Sequence, residues 1–137
     1  MRWAMPPVVI ATMLAATGAA QAATVRVEVS GAAPDGTTIY VALCEGALRR
    51  AACRPGGSTA AISETVRLSI MDISPGDYAL LVFQDRNGND RLDRNLVGFP
   101  REPYALSNAP AGLPSFAKAA FVVKDGTNTV RTRLKQP

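Results

Sequence analysis

The densest run of potential ligand atoms in the chain is Asp85-Arg86-Asn87-Gly88-Asn89-Asp90-Arg91-Leu92-Asp93. Side-chain oxygens of Asp85, Asn87, Asn89 and Asp93, with the main-chain carbonyl of Arg91 between the last two, match the opening of a calcium loop of the EF-hand or dockerin kind. Three departures weaken such a site. Asp90 stands where those loops carry glycine, Leu96 stands where they carry a bidentate carboxylate, and Arg86, Arg91 and Arg94 interleave with the acids. Calcium held here would bind in the range of about 10⁻⁴–10⁻³ M seen for extracellular modules. The alternative is an Asx-rich turn at Asn87-Gly88, its aspartates accepting from backbone amides and pairing with the arginines.

A second group follows: Phe99, Arg101, Tyr104, Ser107 and Asn108 offer an aromatic surface, a cation and hydrogen-bonding groups within ten residues of proline-rich sequence. That composition suits ligand contact from a loop. Catalysis has less to work with. The chain has no histidine, which removes Ser-His-Asp and Cys-His mechanisms and imidazole metal ligation. A small hydrolase using carboxylates such as Asp85, Asp93 or Glu102 is the alternative to a binding role. No carboxylate pair is fixed by spacing, however, and Glu102, between Arg101 and Pro103, reads as a surface ion-pairing residue. Cys44 and Cys53 are the two cysteines. Without a Cys-x-x-Cys spacing they read as a structural disulfide, with free thiols or a redox pair as the alternatives.

The elements that would position these residues are strands. Val25, Val27 and Val29 alternate with Arg26, Glu28 and Ser30, the period-two pattern of a strand with one wet face. Ala33-Pro34-Asp35-Gly36 breaks it as a turn, and Thr38 to Cys44 forms the next strand. A short helical turn fits 45–52 and ends at Arg54-Pro55-Gly56-Gly57-Ser58. Val66, Leu68 and Ile70 mark a further strand, and two more flank Asp125-Gly126, which reads as a hairpin turn. The central strand is Tyr78 to Gln84, entered through Ser74-Pro75-Gly76, a turn that places Tyr78 as either a tyrosine corner or an ordinary half-buried tyrosine. It is apolar on both faces: Tyr78, Leu80 and Val82 point one way, Ala79, Leu81 and Phe83 the other. A sandwich covers only one face, so the aperiodic segment 95–116 is expected to be ordered and to lie across the other.

Six or more strands without an amphipathic helix predict an all-β fold, a single antiparallel β-sandwich of the immunoglobulin or transthyretin kind with one long ordered loop. Residues 1–22 read as a signal peptide: Arg2, the apolar run Val8 to Ala16, and the small-x-small site Ala20-Gln21-Ala22. The apolar run is shorter than the roughly 20 residues a spanning helix needs. The mature domain is then 23–137, exported and periplasmic, not membrane-spanning after cleavage. Its formal charge of +4 falls by one with loss of Arg2. That mild excess, in an exported protein, argues against nucleic acid, and Arg49, Arg50 and Arg54 read as a solvated face.

The run Pro75-Gly-Asp-Tyr-Ala-Leu-Leu-Val-Phe-Gln-Asp-Arg-Asn-Gly-Asn89, with Leu92-Asp-Arg-Asn-Leu-Val-Gly-Phe-Pro-Arg-Glu-Pro-Tyr-Ala-Leu-Ser-Asn108 and the later Pro-Ser-Phe and Ala-Ala-Phe, resembles the bacterial exported family catalogued as domain of unknown function 2141. The resemblance implies a small secreted β-sandwich and brings no activity with it. In that family the loop continues Asn-Gly-Asn-Gly-Lys-Leu-Asp, and Asp90-Arg91 replace its Gly-Lys here. The sequence thus predicts a noncatalytic module of the cell envelope, contacting an envelope protein or glycan through 85–93 and 99–108, with calcium as the one cofactor to consider.

Overall fold

The computed structural model describes residues 4–12, 22–92 and 101–137. Its strands are β1 (Ala23–Ser30), β2 (Thr38–Cys44), β3 (Cys53–Ala60), β4 (Val66–Ile73), β5 (Gly76–Asp85), β6 (Tyr104–Leu106), β7 (Phe121–Val123) and β8 (Thr127–Arg133), with a short 3₁₀ turn at Arg50–Ala52, inside the stretch where a helical turn is expected, and a helical turn, α1 (Phe116–Ala119), before β7. They form two packed sheets, a three-stranded one ordered β4-β1-β8 and a five-stranded one in which β3-β2-β5-β6 run side by side while β7 also pairs β5. The all-β sandwich expected from the alternating pattern is the fold.

The pattern works because each inward set meets the other sheet. Val25, Val27 and Val29 of β1 pack with Ile39, Val41, Leu43, Leu80 and Val82 in one buried cluster. Each such side chain contributes about 1.5–3 kcal/mol by leaving water. Tyr78 enters the same cluster while its hydroxyl donates to the carbonyl of Ser74 at 2.7 Å, four residues upstream. This is the tyrosine-corner arrangement: the ring stays in the core and the hydroxyl closes the turn.

Beyond the five-stranded sheet lies a second, smaller cluster of Cys44, Ala79, Leu106 and Ala119, with Leu48, Cys53, Leu81 and Phe116 packed against it. The outward side of β5 is therefore covered, in part by a different route from the one expected. Within segment 95–116 the described part, 101–116, supplies Leu106 and Phe116 to this cover, but Tyr104–Leu106 does not itself lie across the sheet. Tyr104–Leu106 instead extends the sheet sideways, pairing Leu81–Phe83. An open strand edge offers unpaired amides and carbonyls, and pairing them is worth more to a short segment than lying across a face. The far side of Tyr104 is closed in turn by Lys135, through hydrogen bonds of 3.1 and 2.7 Å.

Three further features differ from the sequence reading. Cys53–Ala60 is a strand, although it holds Pro55, Gly56 and Gly57. It forms the sheet edge beside β2, where proline is tolerated, and a register shift opposite Val41 and Ala42 accommodates the extra residue. Asp125-Gly126 does not close a hairpin, because β7 belongs to one sheet and β8 to the other. The Asn128 side chain closes this crossing, accepting from the Lys124 amide at 3.0 Å and donating to its carbonyl at 2.7 Å. As a result β8 runs parallel to β1, the one parallel pair among the described strands. Among the described residues no helix is long and apolar enough to cross a membrane.

Candidate functional site

Asp85 ends β5 at the outer side of the five-stranded sheet and is buried, 2% exposed. One carboxylate oxygen accepts from the Gly88 amide at 3.1 Å and the other from the Asp90 amide at 2.7 Å. The Asn87 side chain accepts from the Asn89 amide at 3.2 Å, and that of Asn89 from the Arg91 amide at 3.0 Å. Asp90 takes a positive φ of 61°, the left-handed conformation that aspartate tolerates better than most residues. The loop is thus a chain of Asx turns wound around one buried carboxylate.

Its tip is pinned back onto the sheet. The Tyr40 hydroxyl of β2 donates to the Asp90 carboxylate at 2.5 Å. That bond, together with the nearby carboxylates and some burial, raises the phenol above its ordinary value. The Tyr40 ring stacks on Phe83 with centroids 5.3 Å apart. Phe83 is itself in register with Tyr104 of β6, so Tyr40, Phe83 and Tyr104 occupy one row across three adjacent strands. At the same end, Arg86 pairs with Asp35 at 3.4 Å, and Asp35 accepts from both the hydroxyl and the amide of Thr37. These bonds, the Thr37 hydroxyl foremost, lower the Asp35 pKa below its ordinary value.

The cation reading can be tested on these donors. Both oxygens of Asp85 face backbone amides and an oxygen of Asp90 faces Tyr40, while Arg86 and Arg91 lie exposed beside them. Among the described residues no three Asp, Glu, Cys or His side chains gather as metal ligands. The described groups make up a hydrogen-bonded loop. Asp93 lies outside the described residues.

The second group separates into different roles. Phe99 lies outside the described residues, and Arg101 is exposed. Tyr104 is half-buried in the aromatic row. Ser107 is buried, 1% exposed, and fills a gap in the ladder. β6 leaves the edge of β5 at Leu81 and β7 joins it at Tyr78, so on that edge Leu80, which faces Leu43 of β2 on the other side, has no strand residue opposite it. Its amide donates to the Ser107 hydroxyl at 2.9 Å, the Ser107 amide donates to the Leu80 carbonyl at 3.0 Å, and the hydroxyl donates on to the Ala119 carbonyl at 2.5 Å. Asn108, at φ 62°, donates to the Ala120 carbonyl at 2.8 Å. Ser107 and Asn108 thus tie the excursion between β6 and β7 to the sheet.

Glu102 corrects the sequence reading: it is buried, 5% exposed, rather than a surface residue. The adjacent Pro103 carbonyl accepts from the Gln84 amide at 2.9 Å, which draws this stretch onto the end of β5. Gln84 itself was not singled out from sequence. It is fully buried, and its side chain holds the loop after β1, donating to the Ala33 carbonyl at 2.7 Å and Thr37 Oγ1 at 2.8 Å while accepting from the Ala33 amide at 3.0 Å. The one signal was a polar residue on the inward side of the most apolar strand. Cys44 and Cys53 form the disulfide, joining residues opposite one another in β2 and β3.

A family model described as an uncharacterised protein conserved in bacteria (DUF2141) matches residues 27–131, more than half of the chain. The chain belongs to the DUF2141 family. The match begins in β1 and ends in β8, so the DUF2141 region takes in both sheets, the Asp85 loop and the Ser107 tie. No curated protein and no solved structure matches the chain.

Proposed function

We propose that this DUF2141 protein is exported and acts as a noncatalytic binding module of the bacterial cell envelope, contacting its partner with the end of the five-stranded sheet where the 85–92 loop folds over the aromatic row. The observation that carries the reading is the pinned loop. A polar surface loop is ordinarily mobile, and ordering it on contact costs affinity. Here Asp85 and Tyr40 hold the loop beforehand, so Asn87 and Arg91, with Arg86 paired to Asp35, are carried on a loop of fixed shape next to Tyr40. The Gly88 and Asp90 amides and the Tyr40 hydroxyl bond these carboxylates and give the loop hydrogen bonds of its own.

A buried Asp85 engaged through both oxygens serves structure rather than proton transfer, and this favours binding over hydrolysis. Export is supported by the disulfide, which persists in oxidising compartments, and by the leader-like residues 1–22. The test is retention of the purified protein on bacterial envelope fractions, comparing the native chain with Arg86→Ala/Arg91→Ala. The reading expects at least a tenfold drop in retention with unchanged melting temperature. Equal retention would remove this surface from the account.

A further inference from the structure

The outward face of the three-stranded sheet carries a second arrangement that the pinned loop does not involve. Along β1, Arg26 sits between Ser69 of β4 and Thr129 of β8, and one row on, Glu28 sits between Arg67 and Arg131. These side chains line a trough of about 400 Å³, within the range of small-ligand sites. Three guanidinium groups thus surround one carboxylate. Arg67 pairs with Glu28 at 3.2 Å, and among the described residues neither Arg26 nor Arg131 has a carboxylate partner. The trough therefore holds two uncompensated forks suited to planar anions. Hydroxyls of Ser69 and Thr129 and the acceptor oxygens of Glu28 lie beside them.

We propose that this trough binds an acidic oligosaccharide, with Arg26 and Arg131 taking its carboxylate or phosphate and Glu28, Ser69 and Thr129 bonding its hydroxyl groups. A membrane surface is the competing occupant of a basic face. Insertion into one calls for large apolar or aromatic groups among the cations, and none lines the trough apart from Val27 and Leu68, which face the sandwich interior. A carboxylate at the centre of the face also suits a hydroxyl-rich anion better than a sheet of phosphates, which it would repel. The trough and the pinned loop lie on opposite outer faces of the sandwich, so the two surfaces can be altered separately.

The experiment is calorimetric titration of the purified protein with a galacturonic-acid hexamer, a phosphorylated mannose hexamer and the neutral glucose hexamer, alongside sedimentation with vesicles of phosphatidylglycerol and phosphatidylcholine. One or both acidic hexamers should bind and the neutral one should not, with affinity falling as salt rises. Arg26→Gln/Arg131→Gln should weaken binding at least tenfold with unchanged melting temperature, and Arg86→Ala/Arg91→Ala should leave it unchanged. Binding by neither acidic hexamer, equal binding by the Arg26→Gln/Arg131→Gln variant, or binding to anionic vesicles without either hexamer would each overturn the proposal.

Discussion

The Tyr40 phenol is the residue on which the candidate site most visibly depends. Its proton is held by the Asp90 carboxylate, and the raised pKa gives this a definite sign. The folded state holds the proton more tightly than the unfolded chain. The contribution to stability is therefore complete below the ordinary phenol value of about 10 and is lost as pH climbs through the raised folded value. Ultraviolet titration should show the Tyr40 transition late, and Asp90→Asn should move it back toward the ordinary range. Asp35 has the opposite sign. Its lowered pKa stabilises above the ordinary value near 3.8 and is lost as pH falls through the folded value, so Asp35→Asn should flatten the acid limb of a melting-temperature profile. Ser107 is the other decisive residue. Ser107→Ala leaves the Leu80 amide without its acceptor, which should cost about 1–3 kcal/mol in chemical denaturation. Sequence offered Ser107 as a ligand contact because a serine beside an asparagine in a loop reads as polar surface, and only the missing ladder position at Leu80 shows why it is inside.

Among the elements, β1 and β4 were legible because period-two alternation is a local property of the chain, and β2 and β5 because each is a short apolar run rich in β-branched or aromatic residues and bounded by turn signals. β3 was not. Pro55-Gly56-Gly57 carries the composition of a turn, and what makes it a strand is the edge of β2 and close approach to the opposite sheet. A Cβ on Gly56 would lie 2.7 Å from Ile70 Cδ1 and 3.1 Å from the Val41 carbonyl oxygen. Gly56→Ala should accordingly destabilise by about 1–3 kcal/mol, the usual cost of overpacking, read from the denaturant midpoint. Thr132 of β8 gives the converse case. Its hydroxyl is buried and has no hydrogen-bond partner among the described residues, so the nearly isosteric Thr132→Val should raise stability by up to about 1 kcal/mol. The turn at Asp125-Gly126 shows a different limit: turn residues announce a reversal of direction but not whether the chain stays in one sheet. Here the reversal moves it to the other, and β8 arrives parallel to β1.

For the whole molecule, the amphipathic bookkeeping of alternating strands predicted two layers, and the doubly apolar β5 predicted a third covering. Segment 95–116 supplies part of that covering, Leu106 and Phe116, and the disulfide loop and Ala119 supply the rest, parts from distant stretches that no local pattern links. The Cys44–Cys53 bridge both closes the β2–β3 connection and fills this small outer cluster. Reduction should lower stability by about 2–3 kcal/mol on the chain-entropy estimate, with the main core between the sheets intact. The two outer faces then differ in character. One carries a loop of Asx turns pinned over aromatic rings, the other a trough of arginines around a glutamate. Most of the first was visible in sequence, including an Asx-rich turn with its aspartates accepting from backbone amides, though its pinning by Tyr40 was not, since Tyr40 and Asp90 lie fifty residues apart.

The central claim is that the 85–92 loop is held in place by its own hydrogen bonds before any partner or cation arrives. Amide hydrogen exchange at Gly88 and Asp90, followed by nuclear magnetic resonance in the presence of a calcium chelator, tests it directly. Both amides should be protected well beyond open-chain rates, equally with chelator and with millimolar calcium, and Asp85→Ala should abolish the protection. Open-chain exchange under chelator that slows only when calcium is added would contradict the claim.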